Sequence, residues 1–170
     1  MNILKKDEAL YGVLLTDAQE IGFVEIKPDE DILSCAYRGI GCNTVEFVEP
    51  DELTKRGMVM LVDEEGKLRE GSKFINCVAS FLYGSQEHGD PVVGNAMIVK
   101  LGDEQLEMLT GMEAAQLARE MTELRGKAID DIADAFHLRP AAKKSISDDL
   151  QKSSVQGERR QPCKPTSQER

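Results

Sequence analysis

The amino-acid sequence predicts an α+β fold: a small, mostly antiparallel or mixed sheet of four to five strands with two to three helices, the last helix C-terminal and followed by a disordered tail. Three observations carry this. Short apolar runs alternate with period two or are continuously apolar, as strands do. Few segments have helical spacing. The connections are too short, and the helices too few, for the crossovers of a doubly wound parallel sheet.

From the N-terminus, Leu10–Leu15 fits either a short strand or the end of an amphipathic helix. Gly22–Ile26 alternates and predicts a strand. Pro28 with Asp29, Glu30 and Asp31 predicts a helix start, since proline suits the first turn and carboxylates suit the positive end of the dipole. Ile32, Leu33, Ala36 and Ile40 then follow at helical spacing, and Gly39 and Gly41 should stop the helix. Thr44–Val48 alternates as a strand, and Glu49–Glu52 is a polar break.

Met58–Val62 is continuously apolar, which predicts a strand covered on both faces. Asp63-Glu64-Glu65-Gly66 reads as a turn in which Gly66 is able to take positive φ. Phe74, Val78, Phe81 and Leu82 are spaced for one face of a short helix, residues 84–91 form a loop, and Val92–Val99 supplies the last strand. Thr110 and Glu113 match a capping box. The helix it opens, residues 111–138, carries Leu117, Met121, Leu124, Ala128, Ile129, Ile132 and Phe136, with a weak point at Gly126 and a stop at Pro140. Residues 1–139 thus form one domain. Residues 140–170 are too polar to offset the entropy of ordering and are expected to be disordered.

The net charge of −10 is unevenly spread. Residues 141–170 hold seven Lys/Arg against four Asp/Glu, whereas the rest holds fourteen against twenty-seven. So acidic a body excludes direct binding to a nucleic-acid backbone, which needs a basic footprint. It suits a basic protein partner, beside the plainer reading that charge keeps the protein dispersed. The basic tail is left as a weak contact for nucleic acid or a partner. The four cysteines, 35, 42, 77 and 163, form no C-x-x-C pair, and three have apolar neighbours. With no signal peptide and no apolar run of spanning length, the expected location is the cytoplasm of a bacterial host.

Candidate chemistry is sparse. Gly39-Ile40-Gly41 follows a helix, the reverse of a dinucleotide fingerprint, so a helix cap is the better reading. Glu87-His88-Gly89-Asp90 offers possible ligands or proton carriers, but zinc wants three or four convergent donors. A histidine that holds a turn is the plainer reading. Cys77 with His88 is the one conceivable nucleophilic pair, yet Cys77 has the apolar setting of a structural thiol. Paired carboxylates abound in turns and on exposed segments, where they are solvated rather than tuned for acid–base work. No catalytic residue, cofactor or metal is assigned. The residues singled out for binding are Tyr83, Gln86, Glu87 and His88 in the polar loop, Asn95 within an apolar strand, and the acidic turn Asp63, Glu64 and Glu65. Asn95 is read either as a fastener for the loop or as a ligand contact.

The strand Met58–Val62, the acidic turn to Leu68, Phe74-Ile75-Asn76, residues 79–84 and Val92–Ala96 resemble, in that order, a domain of unknown function. That domain is widespread in proteins of bacteriophages, conjugative plasmids and other mobile elements. The resemblance extends over residues 20–125, including the helix–Gly–strand of Asp29–Val48 and the capped helix. It implies a small α+β domain in a mobile-element setting, where accessory proteins often counter host restriction or CRISPR systems. It brings no catalytic residues with it. The reading is therefore a non-enzymatic, acidic, protein-binding accessory factor, with inhibition of a host defence nuclease as its sharpest form. The alternatives are a protein that binds or sequesters a nucleotide through Tyr83–His88, and an enzyme that uses His88.

Overall fold

A computed structural model describes residues 8–68 and 74–137. Leu10–Leu15, ambiguous in sequence, is strand β1, and β2 follows at Ile21–Glu25. Helix α1, Ile32–Ile40, leads to β3 at Val45–Val48 and a single-turn helix α2 at Asp51–Thr54. Strand β4, Met58–Asp63, runs into a 3₁₀ turn at Gly66–Leu68. Helices α3, Cys77–Tyr83, and α4, Ser85–His88, precede β5 at Ala96–Leu101. The two-residue strands β6, Leu106–Glu107, and β7, Leu109–Thr110, lead into α5, Gly111–Ala135.

Every pairing is antiparallel, in the order β2-β1-β5-β4-β3. The predicted α+β class holds, with five main strands among the described residues. β6 pairs with β5 and β7 with β1. The chain at 106–110 thereby bridges the two central strands beyond the end of their own register, with Met108 buried between.

The continuous apolar run of β4 follows from burial on both faces. Met58, Met60 and Val62 join Val13, Leu15, Ala96 and Ile98 beneath α3 and α5. Val59 and Leu61 join Val24, Met97 and Val99 beneath Cys35, Ala36 and Ile40 of α1. The sheet is therefore covered by helices on both sides while remaining antiparallel.

Several boundaries differ from expectation, each for a local reason. Pro28, Asp29 and Glu30 precede α1, and the cap is Asp31, whose carboxylate accepts the Ser34 N–H at 2.8 Å. Gly41 is the left-handed C-cap, with its N–H donating to the Tyr37 carbonyl at 2.8 Å. Gly39 lies within the helix, where a Cβ would come 2.6 Å from Met97 Cε and 2.8 Å from Val24 Cγ2. It lets the helix approach the sheet. Glu49–Glu52 is not merely a break, because Pro50 starts α2. Residues 84–91 are not all loop: α4 sits between two left-handed glycines, Gly84 and Gly89.

Phe74 lies before α3, whose cap is Asn76, and stays exposed. Val92 and Val93 precede β5, and Val93 forms an isolated bridge with Ile75. The capping box of Thr110 and Glu113 is complete, with hydrogen bonds of 3.2 and 2.9 Å. Helix α5 continues through Gly126 and ends three residues before the expected limit of 138, at Ala135, where Phe136 leaves helical geometry and His137 takes φ +56°. Pro140, Cys163 and the predicted tail lie outside the described residues.

Candidate functional site

The acidic turn and the polar loop, twenty residues apart in sequence, meet in the fold. Asp63, Glu64 and Lys67 lie across a cleft from Tyr83 and Asp90. Val48 and Glu46 on β3 line it too, as do Pro91, Val92 and Val93. Lys67 and Asp90 close one end with an ion pair between exposed side chains. The enclosed space is about 80 Å³. Ligand pockets are typically about 300–1,000 Å³, so this cleft is small by comparison.

Local chemistry builds each wall. Asp63 is buried, and its Oδ1 accepts the Glu65 N–H at 2.9 Å, which turns the chain. The Glu64 N–H donates to the Thr44 carbonyl at 3.2 Å and keeps the turn on the sheet. Gly66 does not take positive φ as expected. It is glycine because a Cβ there would lie 2.4 Å from the Val93 carbonyl oxygen.

His88 is a fastener of the opposite wall. Its Nδ1 accepts the Asp90 N–H at 3.1 Å and its Nε2–H donates to the Tyr83 carbonyl at 3.0 Å, which assigns the neutral tautomer. The imidazole also meets the Tyr83 ring edge-on, with centroids 4.5 Å apart. Ser85 Oγ donates to the Asp90 carbonyl at 2.7 Å and finishes the loop. Both imidazole nitrogens are thus engaged in holding the turn. Of the loop residues proposed for binding, only Tyr83 lines the cleft; Gln86, Glu87 and His88 do not.

Asn95 also stands elsewhere. Its Oδ1 accepts the Asp17 N–H at 3.0 Å, so it fastens the β1–β2 turn. That turn belongs to a polar clasp that the sequence does not announce. Fully buried Asn76 donates from Nδ2 to the carbonyls of Leu15 and Gly94 at 2.8 and 2.9 Å, while its Oδ1 caps α3 at Ala79 N–H. Gln19, held at φ 66°, donates to the Ile75 carbonyl at 2.8 Å and accepts the Cys77 N–H at 2.9 Å. Asn before an apolar helical stripe is a readable cap signal. Gln19 had none, because the two partners on the α3 side lie fifty or more residues away.

The remaining candidates are structural or solvated. Cys77 is buried, and burial pushes its thiol up to about 11, the opposite of what a nucleophilic thiolate requires. Burial also raises the Cys35 thiol. Among the described residues no group of three or more His, Cys, Asp and Glu is placed to hold a metal ion, and no helix is long and apolar enough to cross a membrane.

Fold and cleft together define a small α+β domain: an antiparallel sheet with helices on both faces and an acidic recess beside one edge. The chain belongs to the DUF3846 family, a domain of unknown function, whose model matches residues 11–123. The match begins at β1, earlier than the resemblance in sequence suggests. No curated protein and no solved structure matches the chain.

Proposed function

We propose that this protein is a non-enzymatic accessory factor that binds a basic partner protein through its acidic body. The observation that carries this is the cleft itself, where Glu46, Asp63, Glu64 and Asp90 face one lysine in a space of side-chain size. Carboxylates gathered in one cleft suit a lysine- or arginine-rich protein surface. The fourteen basic against twenty-seven acidic residues of positions 1–140 would steer such a partner from a distance. Basic surfaces of this kind belong to nucleic-acid-binding proteins. The mobile-element setting implied by the resemblance makes a host nuclease of the restriction or CRISPR type the sharpest candidate. The test is affinity capture from bacterial lysate by the full chain at low and high salt. A specific nucleic-acid-binding enzyme retained at low salt and released at high salt is expected. Capture that ignores salt, or no specific basic partner, overturns the reading.

A further inference from the structure

We propose that the edge of strand β3 is a docking site for an extended basic segment of a partner protein, which adds to the sheet as a further strand. Its alternate residues would be lysine or arginine over the cleft and apolar beside Phe47. This rests on the protein-binding reading above and specifies its mode.

The register sets the geometry. The Glu64 N–H donates to the Thr44 carbonyl, so 44 and 64 are a hydrogen-bonded pair. By alternation Glu46–Val62 and Val48–Met60 are hydrogen-bonded pairs too, while Val45 and Phe47 occupy the intervening positions. Their backbone N–H and C=O groups therefore point away from β4. Among the described residues β3 pairs with β4 alone. The opposite edge differs. On β2 the Glu25 carbonyl faces outward but accepts from Arg38 at 2.9 Å, and Arg38 is itself held by Glu30 at 2.7 Å. That edge is guarded by charge.

The two faces beside β3 differ in kind. Phe47 shares a face with its neighbour Leu61, which is fully buried, yet Phe47 itself is 46% exposed. Helix α1 packs chiefly on β1, β2, β4 and β5. Glu46 and Val48 point to the other face, onto the cleft. An added strand would present one side chain in two to each face, the pattern by which strand addition gains specificity.

Charge selects the occupant. Glu46, Glu49 and Glu64 have no ion-pair partner among the described residues. Among the described residues the cleft's one basic side chain, Lys67, is taken up by Asp90. A second copy pairing antiparallel about the centre of β3 would set Glu46 opposite Glu46, and like charges directly opposite are unfavourable.

The probe is a short peptide of alternating lysine and valine, compared with versions N-methylated on either set of alternate amides and with a glutamate–valine version. Each is titrated into the isotope-labelled full chain and followed by amide shifts and fluorescence anisotropy. The expected result is shifts centred on Val45, Phe47 and the cleft, with binding at least about tenfold weaker for one N-methylated version and for the glutamate version. Val45→Pro removes an outward donor without losing a ladder bond, and Glu46→Lys reverses the rim charge; each should weaken binding about tenfold. If Val45→Pro fails to fold, Glu46→Lys and the N-methylated peptides carry the test. Wild-type binding by both variants overturns the site, as do shifts centred elsewhere. Self-association lost in Val45→Pro assigns the edge to a second copy and also overturns it. If both variants still capture the salt-sensitive partner of the full chain, the docking site falls and the protein-binding reading stands. If the wild type binds neither the peptide nor any basic partner, both fall.

Discussion

The side-chain oxygen of Asn95 accepts the backbone N–H of Asp17 at 3.0 Å, across 78 positions of sequence. The bond ties the approach to β5 to the turn that joins β1 and β2. Gln19 and Asn76 tie the same turn to the start of α3. Asn95→Ala would leave the Asp17 N–H without its partner in a half-buried setting. The expected loss is about 1–2 kcal/mol in urea unfolding, with the m-value unchanged. Binding of a basic partner should be unaffected, since Asn95 lies outside the cleft. Loss of binding with intact stability would instead make Asn95 a contact residue.

His88→Ala should act locally. The variant loses an acceptor for the Asp90 N–H, a donor to the Tyr83 carbonyl and the ring contact with Tyr83. Amide exchange is expected to speed up across residues 84–90 while the sheet amides keep their protection. Global stability should fall by about 1 kcal/mol. Exchange that rises uniformly across the sheet would contradict a role confined to the loop.

The uneven legibility of this fold has physical causes. Strands β4 and β5 are apolar on both faces, so their existence is plain from composition, and the Thr110–Glu113 cap is a local pattern of four residues. Strand β1 was ambiguous because it too is packed on both sides, which erases the period-two signal. Helix α4 escaped because a single turn between glycines has no periodicity to read. Of the candidate site, the sequence marks the acidic turn and Tyr83 as polar features near each other in chain order. Their meeting with Glu46 depends on β3 lying beside β4, a long-range pairing that no local pattern encodes.

The acid limb of stability should depend on Glu30. The Arg38 guanidinium, then the Lys27 N–H, hold its carboxyl down to about 2. A folded-state value below the unfolded one gives stability that is full above the ordinary carboxylate range and is lost as pH falls toward about 2. Glu30→Gln removes that dependence. Its denaturation midpoint should fall less steeply than the wild type's between pH 4.5 and about 2, as read by urea unfolding across that range. Parallel wild-type and variant curves would refute the assignment.

Cys77 sets an alkaline limb of the opposite sign. Its thiol is neutral in the fold up to about 11 because burial disfavours the thiolate. The stability associated with the neutral thiol is full below the ordinary value of 9.0 and is lost as pH rises from there toward about 11. In the native protein at mildly alkaline pH, Cys77 should be alkylated no faster than global unfolding exposes it, as followed by mass mapping of each cysteine. Rapid labelling of Cys77 in undenatured protein would show a reactive thiol.

Gly66→Ala tests whether the cleft is held by close backbone approach. The added Cβ would sit 2.4 Å from the Val93 carbonyl oxygen, a backbone atom that cannot swing aside as a side chain can. Either the acidic turn or the 91–93 segment must move. Overpacking of this kind costs about 1–3 kcal/mol. Because Val93 lines the cleft together with Asp63, Glu64 and Lys67, the same shift should change the space between Glu64 and Asp90. The expected outcome is lower stability together with amide shifts at residues 63–67 and 91–93, and weaker binding of the lysine–valine peptide. A variant with wild-type stability and unmoved Val93 would mean that the close approach at Gly66 does not hold the cleft.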